Sequence, residues 1–287
     1  MKQRIITAAI ALCLLVPVLV FSNTVVLGIA MSLLCLVGVF EMMRCLGIHK
    51  NFVISVPAYV IAIFFPTGAF LLRQYRGYFL LFFAMIILLY MQYLFVYAVL
   101  KRGNIRYETV CEAIISVAYI VFGFTAIVMT RYLTFGSKDN EYGKYFYLLV
   151  FIGAWVTDTF AYFVGRLLGK HKLAPEISPK KTVEGSIGGI VFCIISFVVF
   201  GIIVGNIANI GGVGFILLLA VAGLIVSVAS QMGDLIASLI KRERGIKDYG
   251  RLFPGHGGVM DRFDSILGTA PLLFAIFFIV STFGIII

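Results

Sequence analysis

Apolar runs broken by short polar segments follow one another along almost the whole chain. Nine stand out, near 5–21, 24–40, 52–72, 78–100, 108–130, 145–164, 185–204, 211–240 and 263–287. Most are close to the roughly 20 residues that an α-helix needs to cross a bilayer. The first two are parted only by Ser22-Asn23-Thr24 and read as a tight helical hairpin. The eighth is long enough to tilt or to project beyond the membrane. The first run follows Met-Lys-Gln-Arg, as in a signal peptide, but has no clear small-residue cleavage site and leads almost directly into the next run. It reads as a retained span. The pattern predicts an all-α, polytopic transmembrane helical bundle of about nine spans.

Composition agrees. Hydrophobic residues make up 62% of the 287 positions and charged residues 13%, against about 45–50% and about 25% in soluble domains. The five cysteines lie far apart, mostly in apolar runs, with no metal-ligand or redox spacing. Charge orients the bundle. If each run crosses once, the N-terminal side receives Lys2, Arg4, Arg44, Lys50, Lys101, Arg102 and Arg106. It also receives the basic residues of 166–181 and 241–262, while Arg73, Arg76, Arg131, Lys138 and Lys144 fall opposite. Loops rich in Lys and Arg stay cytoplasmic, which predicts a cytoplasmic N-terminus. The net charge of +10 needs only this rule and anionic headgroups, and predicts no nucleic-acid partner.

Ionisable side chains inside spans cost about 2.5–3.5 kcal/mol each and mark function or internal pairing. Asp158 lies deep in the sixth run, and Asp234 in the N-terminal-side half of the eighth. Ser227, Ser230, Asp234 and Ser238 share one helical face that Lys241 extends, while Trp155, Asp158 and Tyr162 share another. Either Asp alone could simply pair with a basic residue. The loops beside them favour chemistry. In SPKKTVEGS, Lys180 and Lys181 adjoin Thr182, Glu184, Gly185 and Ser186 at the start of the seventh span. Ammonium groups beside helix-start amides suit a polyphosphate.

After the eighth span, Pro254, Gly255, Gly257 and Gly258 form a tight turn around His256, and Asp261 and Asp264 follow at i, i+3. A helix-capping role would explain one Asp but not this whole set. Asp234, Asp261 and Asp264, joined by Asp158, form an all-oxygen set suited to a hard cation such as Mg²⁺. No second His stands near His256 to build a zinc site. This divides the chain into a scaffold of about five spans over 1–144 and a catalytic region of about four spans with cytoplasmic loops over 145–287.

From Ser238 through Lys241, Arg242, Lys247, Asp248, Pro254, His256, Gly257, Gly258, Asp261, Arg262 and Asp264, the chain resembles the signature of the phosphatidate cytidylyltransferases, or CDP-diacylglycerol synthases. The Asp158 and SPKKTVEGS segments resemble earlier motifs of that family, so the likeness spans roughly 145–287. It implies that CTP and phosphatidate react, with Mg²⁺, to give CDP-diacylglycerol and pyrophosphate. On this reading Asp234, Asp261 and Asp264 hold the metal, with Asp158 as a further ligand or supporting partner and room for a second cation. Lys180, Lys181 and Lys247 neutralise phosphate charge. His256, Gly257 and Gly258 shape the nucleotide-phosphate turn, while Lys241, Arg242, Arg262, Glu184 and Ser230 contact substrates. The expected location is the inner (plasma) membrane with the site facing the cytoplasm, and a homodimer is left open. The rival readings are a CTP-dependent lipid kinase or another lipid cytidylyltransferase, and, from another class, an ion-coupled secondary transporter.

Overall fold

A computed structural model describes residues 13, 15–101, 105–133, 142–208 and 211–283. Each apolar run within them becomes a helix: α1 Val25–Cys45, α2 Phe52–Leu71, α3 Arg76–Leu100, α4 Tyr107–Arg131, α5 Leu148–Leu168, α6 Val183–Ala208, α7 Val213–Glu243 and α8 Met260–Phe283. Among the described residues, these eight are long and apolar enough to cross a membrane, α3 together with the turn Arg73–Tyr75 and α5 together with the short helix Gly143–Phe146. The predicted first span lies mostly outside the described residues; 15–20 are helical. The chain is thus an all-α polytopic membrane protein. Helix α7, at 31 residues, is about 45 Å long and exceeds the roughly 30 Å hydrocarbon core.

The segment after α5 departs from the expected loop. It folds into an antiparallel hairpin, β1 Lys172–Ala174 with β2 Ser178–Thr182, in which Lys172 pairs with Thr182 and Ala174 with Ser178. Main-chain pairing continues one step further, where the Val183 amide donates to His171 O at 2.9 Å and leads directly into α6.

The chain gathers into two compact units. The first contains Met1–Met129 and Arg244–Arg262. Within it α1 lies against α2, where Ser32 donates to the Ile63 carbonyl at 2.7 Å and accepts from the Thr67 amide at 3.1 Å. That hydroxyl serves the backbone just after Pro66, which lies inside α2 with Pro57; such neighbours make proline tolerable in a membrane helix. Helix α3 buries only Phe79, Tyr90 and Leu94, and its remaining apolar faces suit lipid.

The second unit contains Thr130–Glu243 and Phe263–Ile287. Within it α5 and α6 pack closely. A Cβ at Gly185 would lie 2.5 Å from the Ala161 carbonyl oxygen, and one at Gly189 would lie 2.9 Å from that of Thr157. Gly-x-x-x-Gly spacing on α6 lets two backbones touch, the usual small-residue solution for helices in lipid. Helix α8 starts in the first unit and continues in the second.

Candidate active site

Three helices of the second unit each bring a carboxylate to one neighbourhood: Asp158 from α5, Asp234 from α7 and Asp264 from α8. Asp264 interacts electrostatically with both Asp234 and Asp158, and with Lys241 in the last turn of α7. Asp158, an exposed residue, accepts a 3.0 Å hydrogen bond from Ser265 Oγ. Asp234 accepts from Ser238 Oγ at 3.3 Å through Oδ1, and its Oδ2 lies 2.6 Å from Lys181 Nζ.

Glycine makes this gathering sterically feasible. At Gly233 a Cβ would stand 2.5 Å from the Asp264 carbonyl oxygen and 3.3 Å from Gly268 Cα. The backbones of α7 and α8 therefore cross at the residue before one aspartate and at the carbonyl of another. Two polar links accompany it: a buried one, Thr157 Oγ1 donating to Ser227 Oγ at 3.0 Å, and a half-buried one, Gln231 Nε2 donating to Ser186 O at 3.3 Å. Ser230, fully buried one turn before Asp234, has a hydroxyl with no hydrogen-bond partner among the described residues.

Lys181 reaches Asp234 because the hairpin holds it there. Alternation along β2 sends Lys180 and Lys181 to opposite faces, leaving Lys180 exposed and Lys181 half-buried. Glu184, in the first turn of α6, clamps the hairpin base. It accepts from the amides of Lys170 at 3.0 Å and His171 at 3.2 Å, and lies 2.6 Å from His171 Nδ1. Near the hairpin tip, Arg242 Nε donates to the Ile177 carbonyl at 3.4 Å. Glu184 and Arg242, expected from sequence to contact substrate, bond main chain at the base and near the tip of the hairpin that carries the lysines.

The other candidates belong to the first unit. Asp261 Oδ2 accepts from the amides of Tyr249 at 2.8 Å and Gly258 at 3.0 Å. Arg262 Nε donates to the His256 carbonyl at 2.7 Å. The turn itself is closed by Phe253 N to Gly257 O at 2.9 Å and His256 N to Phe253 O at 2.8 Å. Gly257 has φ +87, and a Cβ there would sit 2.7 Å from Asp261 Oδ2. His256 keeps Nδ1 buried with no hydrogen-bond partner among the described residues, and Lys247 is exposed.

Sequence reasoning missed Glu41. It sits at the C-terminal end of α1, only 3% exposed, and accepts from the amides of Val259 at 3.1 Å and Met260 at 2.9 Å. A Cβ at Gly250 or Gly258 would collide with its carboxylate. The one available signal was an acidic residue beside an apolar run. The expected Gly257-Gly258 turn therefore makes room for two carboxylates, one for each glycine.

Chemically, Asp158, Asp234 and Asp264 outnumber Lys181 and Lys241, and the orphaned Ser230 hydroxyl adds one more oxygen on the Asp234 face. That donor set is all oxygen and net negative, which fits a hard divalent cation. Among the described residues no three acidic, His or Cys side chains form a ready-made cage. Magnesium ordinarily takes one or two carboxylates and completes its shell with water and substrate phosphates.

Comparison with known proteins gives the chain a family. Residues 2–280 match the Cytidylyltransferase family. A phosphatidate cytidylyltransferase of Staphylococcus haemolyticus is 37% identical over 274 residues, covering 95% of this chain and 97% of that protein. Proteins of the same name from Staphylococcus saprophyticus and Staphylococcus aureus are each 36% identical, over 275 and 277 residues. Each of these also covers 95% of this chain and 97% of the relative. The match runs through both halves of the sequence, and the chain belongs to the cytidylyltransferase family.

Proposed function

We propose that this chain is a phosphatidate cytidylyltransferase of the plasma membrane, with its site at the cytoplasmic surface. The observation that carries the reading is the cluster of Asp158, Asp234 and Asp264 with Lys181, set where membrane helices meet a lysine-bearing hairpin. Family membership supports the substrates, CTP and phosphatidate. The basic loops support the orientation.

The nucleophile is an oxygen of the phosphatidate phosphate. It attacks the α-phosphorus of CTP, the new P–O bond forms, and the bond between the α-phosphorus and the oxygen bridging to the β-phosphorus breaks. Pyrophosphate leaves with that electron pair. The nucleophile is already anionic, so no protein base has to create it. The barrier lies in joining two anions and in stabilising charge on the leaving group. Asp234 and Asp264, with Asp158 beside them, would hold Mg²⁺. When bound, the cation would neutralise phosphate charge and polarise the reacting phosphorus. Lys181, held at Asp234 by the hairpin, and Lys241 at the end of α7 supply cationic donors to phosphate oxygens. Lys180 and Lys247, both exposed, add positive charge that would attract the nucleotide. The turn of His256, Gly257 and Gly258 is assigned to the triphosphate, to which it would offer the His256 imidazole, whose Nδ1 has no hydrogen-bond partner among the described residues.

Purified protein supplied with phosphatidate, Mg²⁺ and CTP labelled at the α-phosphate is expected to move label into lipid, and excess EDTA to stop the transfer. Label that stays in CMP or CDP, or that reaches lipid only from the γ-phosphate, would replace this reading with hydrolysis or lipid-kinase chemistry.

A further inference from the structure

The signature segment Arg244–Arg262 packs in the first unit with helices whose sequence suggests nothing but scaffold. We propose that Glu41 is a positioning residue for nucleotidyl transfer. From the end of α1 it fixes the first amides of α8 and, through them, the His256-Gly257-Gly258 turn. This rests on the assignment of that turn to CTP under the cytidylyltransferase reading.

The geometry is that of a helix cap supplied from another helix. Helix α8 begins at Met260, and the first amides of a helix have no partner inside it. Asp261 is the obvious candidate to serve them, being in the first turn, yet its Oδ2 turns back to Tyr249 and Gly258. Glu41 takes over, with Oε1 on the Val259 amide and Oε2 on that of Met260. A carboxylate is favoured at this end of a helix dipole. Burying one in an apolar helix is otherwise costly, and these two bonds provide the compensation. Bare backbone at Gly250 and Gly258 lets the carboxylate come that close.

Glu41 does not act alone. Arg44, three residues later on the same face of α1, donates to the Tyr249 carbonyl. Arg244, the first residue of the segment, pairs with Glu112 of α4. The segment is thus held at its start, middle and end by side chains from membrane helices. A long connection with little secondary structure of its own needs such anchors if it is to present functional groups in one conformation.

The test uses the full-length protein in detergent with Glu41→Gln. The amide keeps the shape of the side chain but sets a donor against one of the two amides. Turnover is expected to fall roughly 10- to 100-fold, the scale of a displacement near 1 Å. The KM for CTP is expected to rise several-fold, while that for phosphatidate stays put. A smaller folded fraction would move neither KM. Hydrogen exchange in the 253–262 peptide should speed up while peptides from α2 and α6 do not change. Glu108→Gln, at an exposed carboxylate on α4, should behave as wild type.

Wild-type turnover and KM in Glu41→Gln overturn the proposal, as does faster exchange spread evenly over the bundle. If the variant does not fold, Arg44→Met is measured in the same way and judged by the same outcomes. The wild-type protein is decisive by itself as well: Val259 and Met260 amides that exchange as freely as an open loop refute the cap. A wild-type enzyme that makes no CDP-lipid would sink the functional reading instead, and leave the exchange result to judge the cap.

Discussion

Asp234→Asn is expected to lower CDP-diacylglycerol formation about 1,000-fold or more, with the protein still folded. A loss of roughly 4 kcal/mol in transition-state stabilisation corresponds to that factor, and charge stabilisation of several kcal/mol is what a bound cation contributes to phosphoryl chemistry. The substitution preserves shape, so the α7 backbone and its crossing with α8 are left alone. It removes the negative charge that faces Lys181 at 2.6 Å and that interacts with both Asp158 and Asp264. Lys181 would then face a neutral amide, and a divalent cation would lose one of its anionic ligands. Turnover at saturating Mg²⁺, normalised to folded protein, checks this. Retention of more than about a tenth of wild-type turnover, on the same energy scale, would remove Asp234 from the centre of the mechanism.

Asp234 was visible in the sequence because an acidic residue in an apolar run is rare. The spans were visible for a related reason: nearly every residue of an apolar run must face lipid or other helices, so composition alone reveals it. The hairpin was not. One strand has only three residues, and the other, Ser-Pro-Lys-Lys-Thr, lacks the run of β-branched and aromatic residues and the alternation of apolar with polar that mark a strand in sequence. They are flanked by Glu184 on the Lys170 and His171 amides and by Arg242 on the Ile177 carbonyl, contacts that no local pattern encodes. Glu184 and Arg242 were legible as polar residues beside a phosphate motif, but their hydrogen bonds go to the hairpin backbone. Glu41 was less legible still. Its partners stand 218 and 219 positions away along the chain, and nothing local distinguishes a buried cap from a charge at a membrane rim. The glycines carried a mixed signal. Gly257-Gly258 reads as a turn, which it is, while the reason for Gly258 is a carboxylate from another helix.

Gly233 tests whether helix contact, as well as side-chain chemistry, sets the site. It precedes Asp234, and a single added methyl would lie 2.5 Å from the Asp264 carbonyl oxygen and 3.3 Å from Gly268 Cα. Both obstacles are backbone, so no side-chain rotation relieves the clash and α7 must move from α8. Gly233→Ala is expected to destabilise the protein by about 1–3 kcal/mol, the usual cost of overpacking. In an exposed helix the same exchange would favour stability, since Ala suits a helix better by roughly 0.5–1 kcal/mol. Gly214, where a Cβ would meet nothing within 4 Å, supplies that comparison, and Gly214→Ala should unfold no earlier than wild type. Separating the two backbones also shifts Asp234 relative to Asp264, and a misplacement near 1 Å costs about 100-fold in turnover. The activity of Gly233→Ala should therefore fall further than its loss of stability explains, and raising Mg²⁺ should restore only part of it. Thermal unfolding and turnover of the two variants, measured side by side, decide the matter. A Gly233→Ala protein with wild-type stability and turnover would mean that α7 and α8 do not cross as closely as the glycine contact requires.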